Sequence, residues 1–407
     1  MPIRRLLKGL AVFTFLWVSI SAQGNQKLEY WNTQRKGANF FNDVETKQRF
    51  LEAKTAGIEV VRLVFNKWQS AIPSGIQGDF LLGPKGKFKG LVEEDPKKLL
   101  QALDWAEEAG IKVVITNLSL PGLRWIQQNQ GVRDNRLWQD FKYHRQAAEF
   151  WQLLAKQLKH HPAVVGYNLL NEPQPEFANP VFKDWFTGDY SAWYQSVKDS
   201  PQDLNLFHAT VARSIRSVDD KTPIIVDSGF YSTPWAFKVL DPLPVKHVLY
   251  SFHMYEPYSF TSFRNRDEFE NQKFFYPGAA TIGESEPPPV LEWNKQALFI
   301  FLEPVRKWQQ KHHISSKRVF VSEFGVFRSN QGADRYLKDL IAILQQHGWH
   351  WAFYSYREDS WAGMDYELGQ KKLSAGLKYP LQQRQKQYQT NPLFEALKDA
   401  LFAPPRP

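Results

Sequence analysis

The sequence predicts an α/β protein folded as a single TIM (β/α)8 barrel. Short β-branched segments alternate with longer segments of helical apolar spacing along the chain. The sequence Ala-Gly-Ile-Glu-Val-Val at residues 56–61 is also nearly repeated at residues 109–114. Each copy is a helix end that leads into a buried strand, which is typical of a repeated βα unit.

Eight strands are predicted from these runs. They cover residues 37–41, 60–65, 111–114, 164–170, 223–227, 247–254, 318–322 and 350–356. Helical spacing predicts helices at residues 45–56, 96–110, 146–160, 203–218, 294–312, 333–346 and 393–401. In the helix at 96–110, for example, Asp95 is expected to be the cap, Pro96 the first residue and Gly110 the terminator. This alternation fits a barrel with insertions.

A doubly wound open sheet is the alternative architecture. Such a sheet would place a glycine-rich phosphate turn after its first strand, and residues 37–40 offer none. Extended loops are expected after strand three, at residues 121–143, and after strand six, at residues 256–292. Because no linker or low-complexity segment interrupts the chain, residues 23–407 are expected to form one catalytic barrel domain.

The composition describes a globular chain of 407 residues with a formal charge of +9. Basic and acidic residues alternate through the helical segments, so a nucleic-acid partner is not expected. Residues 1–22 have a basic start and a short apolar run, which is typical of a cleaved signal peptide. We therefore expect a secreted or periplasmic protein with no membrane span in the mature chain.

No metal site and no cofactor are predicted. The chain contains no cysteine, which excludes disulfides and thiolate ligands. Acidic side chains crowd the loop after strand eight, where they could bind a cation or a polar substrate. A solvated loop face is the preferred interpretation for Glu358, Asp359, Asp365 and Glu367.

Two glutamates end predicted strands and are the first candidates for chemistry. Glu172 follows strand four, and Glu323 ends strand seven. In a barrel the carboxyl ends of the strands meet at one rim, so the two carboxylates would face each other. Cleavage of a glycosidic bond requires such a pair, with one acid protonated and the other ionised. Either glutamate alone could simply cap a turn, but their joint occurrence favours catalysis.

Four motifs carry a resemblance to a known family. They are Asn171-Glu172-Pro173, Glu323-Phe324-Gly325, His253-Met254-Tyr255 and the Arg62 of Val60-Val61-Arg62-Leu63. In their order and strand placement the chain resembles glycoside hydrolase family 5, the cellulase family. The resemblance implies that Glu172 is the acid/base and Glu323 the nucleophile. It also implies that Tyr255 hydrogen-bonds the nucleophile and that His253 lies near the acid/base or a sugar hydroxyl.

Further residues are expected to support these two carboxylates. A charge in an apolar strand is costly unless paired, so Arg62 is predicted beside Glu323. Asn171 is a candidate donor to the sugar 2-hydroxyl. Tyr354 stands where the family commonly has a tryptophan platform, and Trp361 in the following loop could replace that platform. A second departure is the absence of the family's histidine shortly before Pro121-Gly122.

The sequence therefore predicts a monomeric retaining β-glycosidase that acts on a β-linked polysaccharide, in the manner of a cellulase or a mannanase. Its two carboxyl groups should lie roughly 5 to 5.5 Å apart. A glycolipid-directed or transglycosylating member of the family is one alternative. A non-catalytic carbohydrate-binding barrel is another, and it would bind sugar without turnover.

Overall fold

A computed structural model describes residues 25–74, 76–182, 188–262, 265, 273–282, 290–370 and 378–404. Its central feature is a closed barrel of eight parallel strands, which confirms the predicted fold class. The predicted signal peptide, residues 1–22, lies outside the described residues.

The barrel strands are numbered here along the chain. They are β1 (Lys36–Phe40), β2 (Val60–Val64), β3 (Lys112–Thr116), β4 (Val164–Asn168), β5 (Ile224–Asp227), β6 (Val248–Met254), β7 (Val319–Phe324) and β8 (His350–Phe353). Each strand pairs in parallel with the next, and β8 pairs with β1 to close the barrel. All eight carboxyl ends therefore open onto one rim.

Helices surround the barrel, most of them at positions that the apolar spacing predicts. The longer ones are Lys47–Thr55, Asp95–Glu108, Phe141–Leu158, Tyr190–Val197, Leu204–Arg216, Lys295–Phe301, Glu303–His312, Ala333–His347 and Pro392–Phe402. Within the described part of the chain, none combines the length and the apolar character needed to cross a bilayer.

Local capping explains where helix boundaries differ from the predicted ones. The helix predicted to begin at residue 146 begins at Phe141, because the Asp140 side chain accepts a hydrogen bond from the Lys142 backbone N–H at 2.7 Å. The single helix predicted over 294–312 is two helices that meet at Leu302. Pro304, in the first turn of the second helix, lacks the N–H that a continuous helix would use.

Asp95 does not cap its own helix, contrary to the sequence prediction. It lies in the first turn of the helix, and its buried carboxylate accepts hydrogen bonds from loop residues outside it. The donors are the Ser70 hydroxyl and the backbone N–H groups of Ala71 and Leu81, each at 2.7 Å. Asp95 therefore holds the loop after β2 against the barrel wall.

The amino-terminal half of the barrel interior is apolar. Trp31, in the short segment before β1, closes this end, and its indole N–H donates to the Val165 carbonyl at 2.8 Å. The interior residues that pack with it come from seven strands: Val60, Val114, Val165, Ile225, Leu249, Phe320 and Ala352. All are buried, so this layer is a packed core and not a pore.

The carboxyl-terminal half of the interior is polar. Because side chains two residues apart share a face of a strand, Arg62 points into the barrel directly above Val60. Its buried polar neighbours at this level are Asn39, Asn168, Asp227, Ser251 and Ser322. Buried polar groups on this scale are costly unless paired, so the carboxyl end is where function is expected.

Extended loops cover this rim. The loop after β3 is long, as predicted, and the loop after β6 carries a two-stranded hairpin of Gly278–Thr281 and Val290–Trp293. The loop after β4 is also long and contains the helix Tyr190–Val197, which the sequence analysis did not predict. These insertions shape the mouth of the barrel.

Candidate active site

The two predicted carboxylates meet at the barrel mouth. Glu172 follows β4 in the chain, and Glu323 lies near the end of β7. One carboxylate oxygen of each lies within 4.8 Å of the other. Retaining glycosidases keep such a pair about 5 to 5.5 Å apart, whereas inverting enzymes need roughly 6.5 to 9.5 Å to admit water. The spacing fits the retaining geometry.

Glu323 is held by one cation and one phenol. The Arg62 guanidinium donates a short hydrogen bond from Nη1 to Oε1, and the Tyr255 hydroxyl donates to Oε2 at 2.8 Å. Each carboxylate oxygen thus has its own donor, which fixes the orientation of the group. The residue is 8% exposed, which leaves an opening toward the mouth. Glu323 is therefore held in one orientation at the barrel mouth.

Glu172 has different partners. Its Oε1 lies 2.9 Å from Nδ1 of His253, and its backbone N–H donates to Oδ2 of Asp227 at 3.3 Å. The backbone has a left-handed φ of 47° and turns the chain sharply after β4. The side chain is 28% exposed, more than that of Glu323. Glu172 can therefore reach a group that enters the mouth.

Burial and neighbouring charges shift the pKa values of Glu172 and His253. Burial raises the pKa of Glu172, and the charge of Glu323 raises it further, while the hydrogen bond and charge of His253 oppose this rise. Burial lowers the pKa of His253, but the carboxylates of Glu323, Glu172 and Asp227 outweigh burial and raise it. A carboxyl group with a raised pKa thus faces the carboxylate that Arg62 and Tyr255 hold in place.

Arg62 organises the floor of the site. The residue is fully buried, in agreement with its predicted pairing with Glu323. Its guanidinium also donates to the side-chain oxygens of Asn39 at 3.0 Å, of Asn168 at 2.8 and 3.1 Å, and of Asn171. Each of these amide groups is thereby fixed in orientation. The Asn171 amide oxygen faces Arg62, which fixes the orientation of the amide.

Asp227 is a site residue that the sequence analysis missed. Its fully buried carboxylate accepts from Asn168 Nδ2 at 2.8 Å and lies 3.8 Å from Arg62 and 3.7 Å from His253 Nε2. Through its contact with the Glu172 backbone it also supports the turn that carries the acid. It ends β5, so the rule that singled out the two glutamates would have found it too.

The rim beside β8 contains the two predicted aromatic residues. The ring centroids of Tyr354 and Trp361 lie 6.2 Å apart, and both side chains are partly buried. The Tyr354 hydroxyl donates to Oε2 of Glu358 at 3.0 Å, and Oε1 of Glu358 accepts from Lys67 Nζ at 2.6 Å. Tyr354 is therefore a fixed ring and not a mobile one.

The acidic loop after β8 is not a solvated face, contrary to the sequence prediction. Glu358 is 4% exposed and pairs with Lys67. The other acids in this loop also have cationic partners: Asp359 with Lys67, Asp365 with Arg384 and Glu367 with Arg357. The charges were visible in the sequence, but the pairing of Lys67 with Glu358 and of Arg384 with Asp365 arises only in the folded chain. These ion pairs shape the loop.

Three side chains in the site place their ligand atoms close enough together to hold a metal ion. Single ligand atoms of Glu172, His253 and Glu323 lie within 4.8 Å of one another. Imidazole and carboxylate are ordinary ligands of divalent ions. An ion held there would occupy both carboxylates, so it would compete with acid and nucleophile chemistry.

The sequence matches the family described as Cellulase (glycosyl hydrolase family 5) over residues 20–360. It is similar to Endoglucanase C of Acetivibrio thermocellus, with 20% identity over 288 residues, which cover 66% of this chain and 73% of that protein.

Solved structures with similar folds include two bacterial proteins. The endoglucanase of the hyperthermophilic Thermotoga maritima superposes with a TM-score of 0.60 at 16% identity, covering 92% of this chain and 99% of that one. The cellulose synthase subunit Z of Clostridioides difficile superposes with a TM-score of 0.58 at 17% identity, covering 91% and 100%. At these identities the superpositions establish the shared barrel.

Proposed function

Because the chain belongs to glycosyl hydrolase family 5, the cellulase family, and is therefore a glycoside hydrolase, we propose that it cleaves internal bonds of a β-linked glucan with retention of configuration. Glu323 is the nucleophile and Glu172 the acid/base. The observation that carries this assignment is the unlike environment of two carboxylates whose oxygens lie within 4.8 Å. Arg62 and Tyr255 hold one of them, and His253 contacts the other.

The first step forms a covalent glycosyl ester. A carboxylate oxygen of Glu323 attacks the anomeric carbon as the bond from that carbon to the glycosidic oxygen breaks. Glu172 gives its proton to the departing oxygen, which leaves as a sugar hydroxyl. Because burial and the Glu323 charge raise the pKa of Glu172, this group can carry a proton where an ordinary carboxyl would have lost it.

The second step reverses the role of Glu172. Once Glu323 is an ester it has no charge, so it no longer raises the pKa of Glu172. His253 continues to lower that pKa. Glu172 therefore becomes a better base and takes a proton from water as the water oxygen attacks the anomeric carbon. Hydrolysis of the ester regenerates the Glu323 carboxylate, which again pairs with Arg62.

The supporting residues orient Glu323 and the bound sugar. Arg62 and the Tyr255 hydroxyl hold Glu323 in one orientation, which brings the attacking oxygen to the sugar at low entropic cost. Asn171 is placed beside the acid to bond the sugar 2-hydroxyl, and Tyr354 with Trp361 offers an apolar ring face to the sugar.

A β-linked mannan is the second candidate substrate. Among proteins with a similar fold, the Thermotoga maritima endoglucanase has been crystallised with mannotriose as well as with cellobiose. Tyr354 in place of the family's tryptophan alters the sugar platform, and no histidine precedes Pro121-Gly122. Both departures concern substrate recognition and leave the carboxylate pair intact.

Reducing-sugar release from soluble β-glucans and β-mannans tests the proposal. The purified mature chain should act on one class, and Glu323→Ala and Glu172→Ala should each abolish release. Glu149→Ala, an exposed helical glutamate, is the matched control and should leave the rate unchanged. Sugar binding without turnover by the wild type would instead favour the non-catalytic barrel.

Export and a monomeric state complete the proposal. Residues 1–22 have the pattern of a signal peptide, so the protein recovered outside the cytoplasm should begin near residue 23. We expect a monomer in solution. Intact mass and light scattering of the exported protein measure the two properties.

A further inference from the structure

A small cavity lies between the loops after β2 and β3, and it is called here the loop cavity. Its volume is about 30 Å³. The loop after β2, the loop after β3 and the first two turns of the helix Phe141–Leu158 supply its polar lining: Asp79, Lys85, Arg124, Arg136, Tyr143 and Gln146. These residues are distinct from those around Glu172 and Glu323.

Arg124 brings an unsatisfied N–H group to this cavity. Its Nε and Nη2 donate to the two carboxylate oxygens of Asp79, each at 2.6 Å. Because this pairing uses one edge of the planar guanidinium, the hydrogens of Nη1 point away from Asp79. Nη1 is buried and has no hydrogen-bond partner among the described residues, and Arg124 as a whole is 7% exposed. A buried N–H without an acceptor is costly, so an acceptor from outside the chain is expected.

The charges around the loop cavity favour an anion as that acceptor. Three of its lining residues are cations and one is a carboxylate. Asp134 pairs with Arg136 at 2.8 Å from outside the lining, which leaves one positive charge in excess. Lys85 carries this charge, because its Nζ donates to the neutral side chain of Asn129 and has no carboxylate partner in the part of the chain that the structure describes. One negative charge would balance the group.

The size of the cavity limits the anion to a small one. A cavity of about 10 to 15 Å³ holds one water molecule. The space between the two loops is larger than this, and a monatomic anion such as chloride is only slightly larger than water. Sulfate and phosphate carry four oxygens each and are too large. The Tyr143 hydroxyl and the Gln146 amide are further hydrogen-bond donors in the lining.

We propose that the loop cavity binds one chloride ion, held by Nη1 of Arg124 and by the charge of Lys85. Lys85 belongs to the loop after β2 and Arg124 to the loop after β3, so the ion would join two loops at the barrel mouth. The two residues come together only in the folded chain. Chloride would therefore bind the folded protein and stabilise it by mass action. The inference does not depend on the proposed glycosidase function.

The chloride dependence of the melting temperature tests the proposal. The purified mature chain is heated at constant ionic strength while sodium gluconate is replaced by sodium chloride, up to about 200 mM. The Tm should rise along a saturating curve by about 2 °C. Bromide should act as chloride does. A flat or linear response of the wild type would overturn the proposal, because neither describes occupation of one site.

Two variants separate this site from a general effect of salt. Lys85→Met removes the charge in excess and leaves the pair of Arg124 with Asp79 in place, so the saturating rise in Tm should disappear. Lys87→Met is the matched control, since it removes an exposed lysine of the same loop that does not line the cavity. It should keep the full rise. Equal rises in Lys85→Met and in the wild type would contradict the proposed site.

Anomalous scattering from bromide gives a second, direct readout. Crystals of the wild type and of Lys87→Met soaked in sodium bromide should show an anomalous peak in contact with Nη1 of Arg124, and crystals of Lys85→Met should show none. A water molecule at this position in the bromide-soaked wild type would overturn the proposal. A bromide peak without a chloride-dependent Tm would mean binding at crystal concentration only, and would equally overturn it.

Discussion

At the scale of single residues, Glu172 and Glu323 have the same side chain, and we propose opposite tasks for them. Their partners differ: Arg62 and the Tyr255 hydroxyl donate to Glu323, whereas the Glu172 carboxylate lies against the His253 imidazole. The contrast follows from where the partners sit on the strands. This contrast can be tested by a substitution that changes the pKa of Glu172 and leaves the hydrogen bonds of Glu323 in place.

His253→Ala should move the alkaline limb of the kcat/KM profile to higher pH. The hydrogen bond and charge of His253 lower the pKa of Glu172, so their removal raises that pKa and keeps the acid protonated further into the alkaline range. Arg62 also lowers this pKa and Glu323 raises it, and both remain in the variant. The rate is measured across pH on one soluble substrate.

Tyr255→Phe is the matched control for this experiment. It removes a hydrogen bond to Glu323 and none to the Glu172 carboxyl among the described residues, so the alkaline limb should keep its position while the maximal rate falls. An alkaline limb that stays put or moves to lower pH in His253→Ala would contradict the assignment of Glu172 as the acid.

The sequence predicted some site residues because one strand end or one motif contains them. Glu172, Glu323 and Arg62 were found in this way, and the structure brings them together. The cationic partners of the acids after β8 could not be assigned, since Lys67 and Arg384 come from other segments and meet these acids only in the folded chain. Their residue types are ordinary in loops, and nothing in their sequence neighbourhood indicates a partner.

At the scale of structural elements, buried polar groups between loops do much of the positioning. Glu176 is fully buried in the loop after β4, and its Oε1 accepts from the Tyr190 hydroxyl and from the Phe230 N–H. Among the described residues its Oε2 has no hydrogen-bond partner. Burial raises the pKa of Glu176 to about 7. The Glu176 carboxyl is therefore expected to be protonated in the folded protein below about pH 7.

Glu176→Gln should stabilise the protein at alkaline pH. A folded pKa above the ordinary value contributes stability at low pH that is lost as the pH rises through about 7. Glutamine does not ionise and can accept the same two hydrogen bonds. Between about pH 4.5 and about pH 8 the unfolding free energy of the variant relative to wild type should rise by about 3 kcal/mol.

Urea unfolding at the two pH values measures this difference. Glu149→Gln changes an exposed glutamate on the helix Phe141–Leu158 and should show no such dependence on pH. A constant difference between Glu176→Gln and wild type across this range would mean that Glu176 folds ionised.

The types of the structural elements were predicted well, whereas helix breaks and caps were not. The apolar spacing located the long barrel helices, since each buries one face. The break at Leu302 and the role of Asp95 depend on contacts beyond that spacing. The helix Tyr190–Val197 packs its buried aromatic residues within an insertion, where no barrel alternation indicates a helix.

At the scale of the whole molecule, the barrel separates stability from chemistry along its axis. Trp31 and the apolar layer above it close one end, and the carboxylate pair lies at the other. The alternation of strands and helices was sufficient to predict this architecture. The closure by Trp31 was not predicted, because a single tryptophan before β1 carries no pattern.

Trp31→Ala should therefore reduce stability and spare catalysis. Removal of a fully buried indole leaves a cavity and an unpaired Val165 carbonyl, at a cost of about 3 to 5 kcal/mol in the free energy of unfolding. Below the unfolding transition kcat should equal the wild-type value. Phe402→Ala, on the exposed end of the last helix, should cost less than about 0.5 kcal/mol in the same denaturant titration.

The central claim is that Glu323 forms a covalent glycosyl ester. A mechanism-based inhibitor can trap this ester. A 2-deoxy-2-fluoro-β-cellobioside with a good leaving group forms the glycosyl ester quickly and releases it slowly, since the fluorine disfavours the charged transition state. Mass spectrometry of the digested protein should find the added sugar on the peptide that contains Glu323. Glu323→Ala should remain unlabelled. A label on Glu172 or on any other residue, or turnover without a trapped ester, would contradict the account.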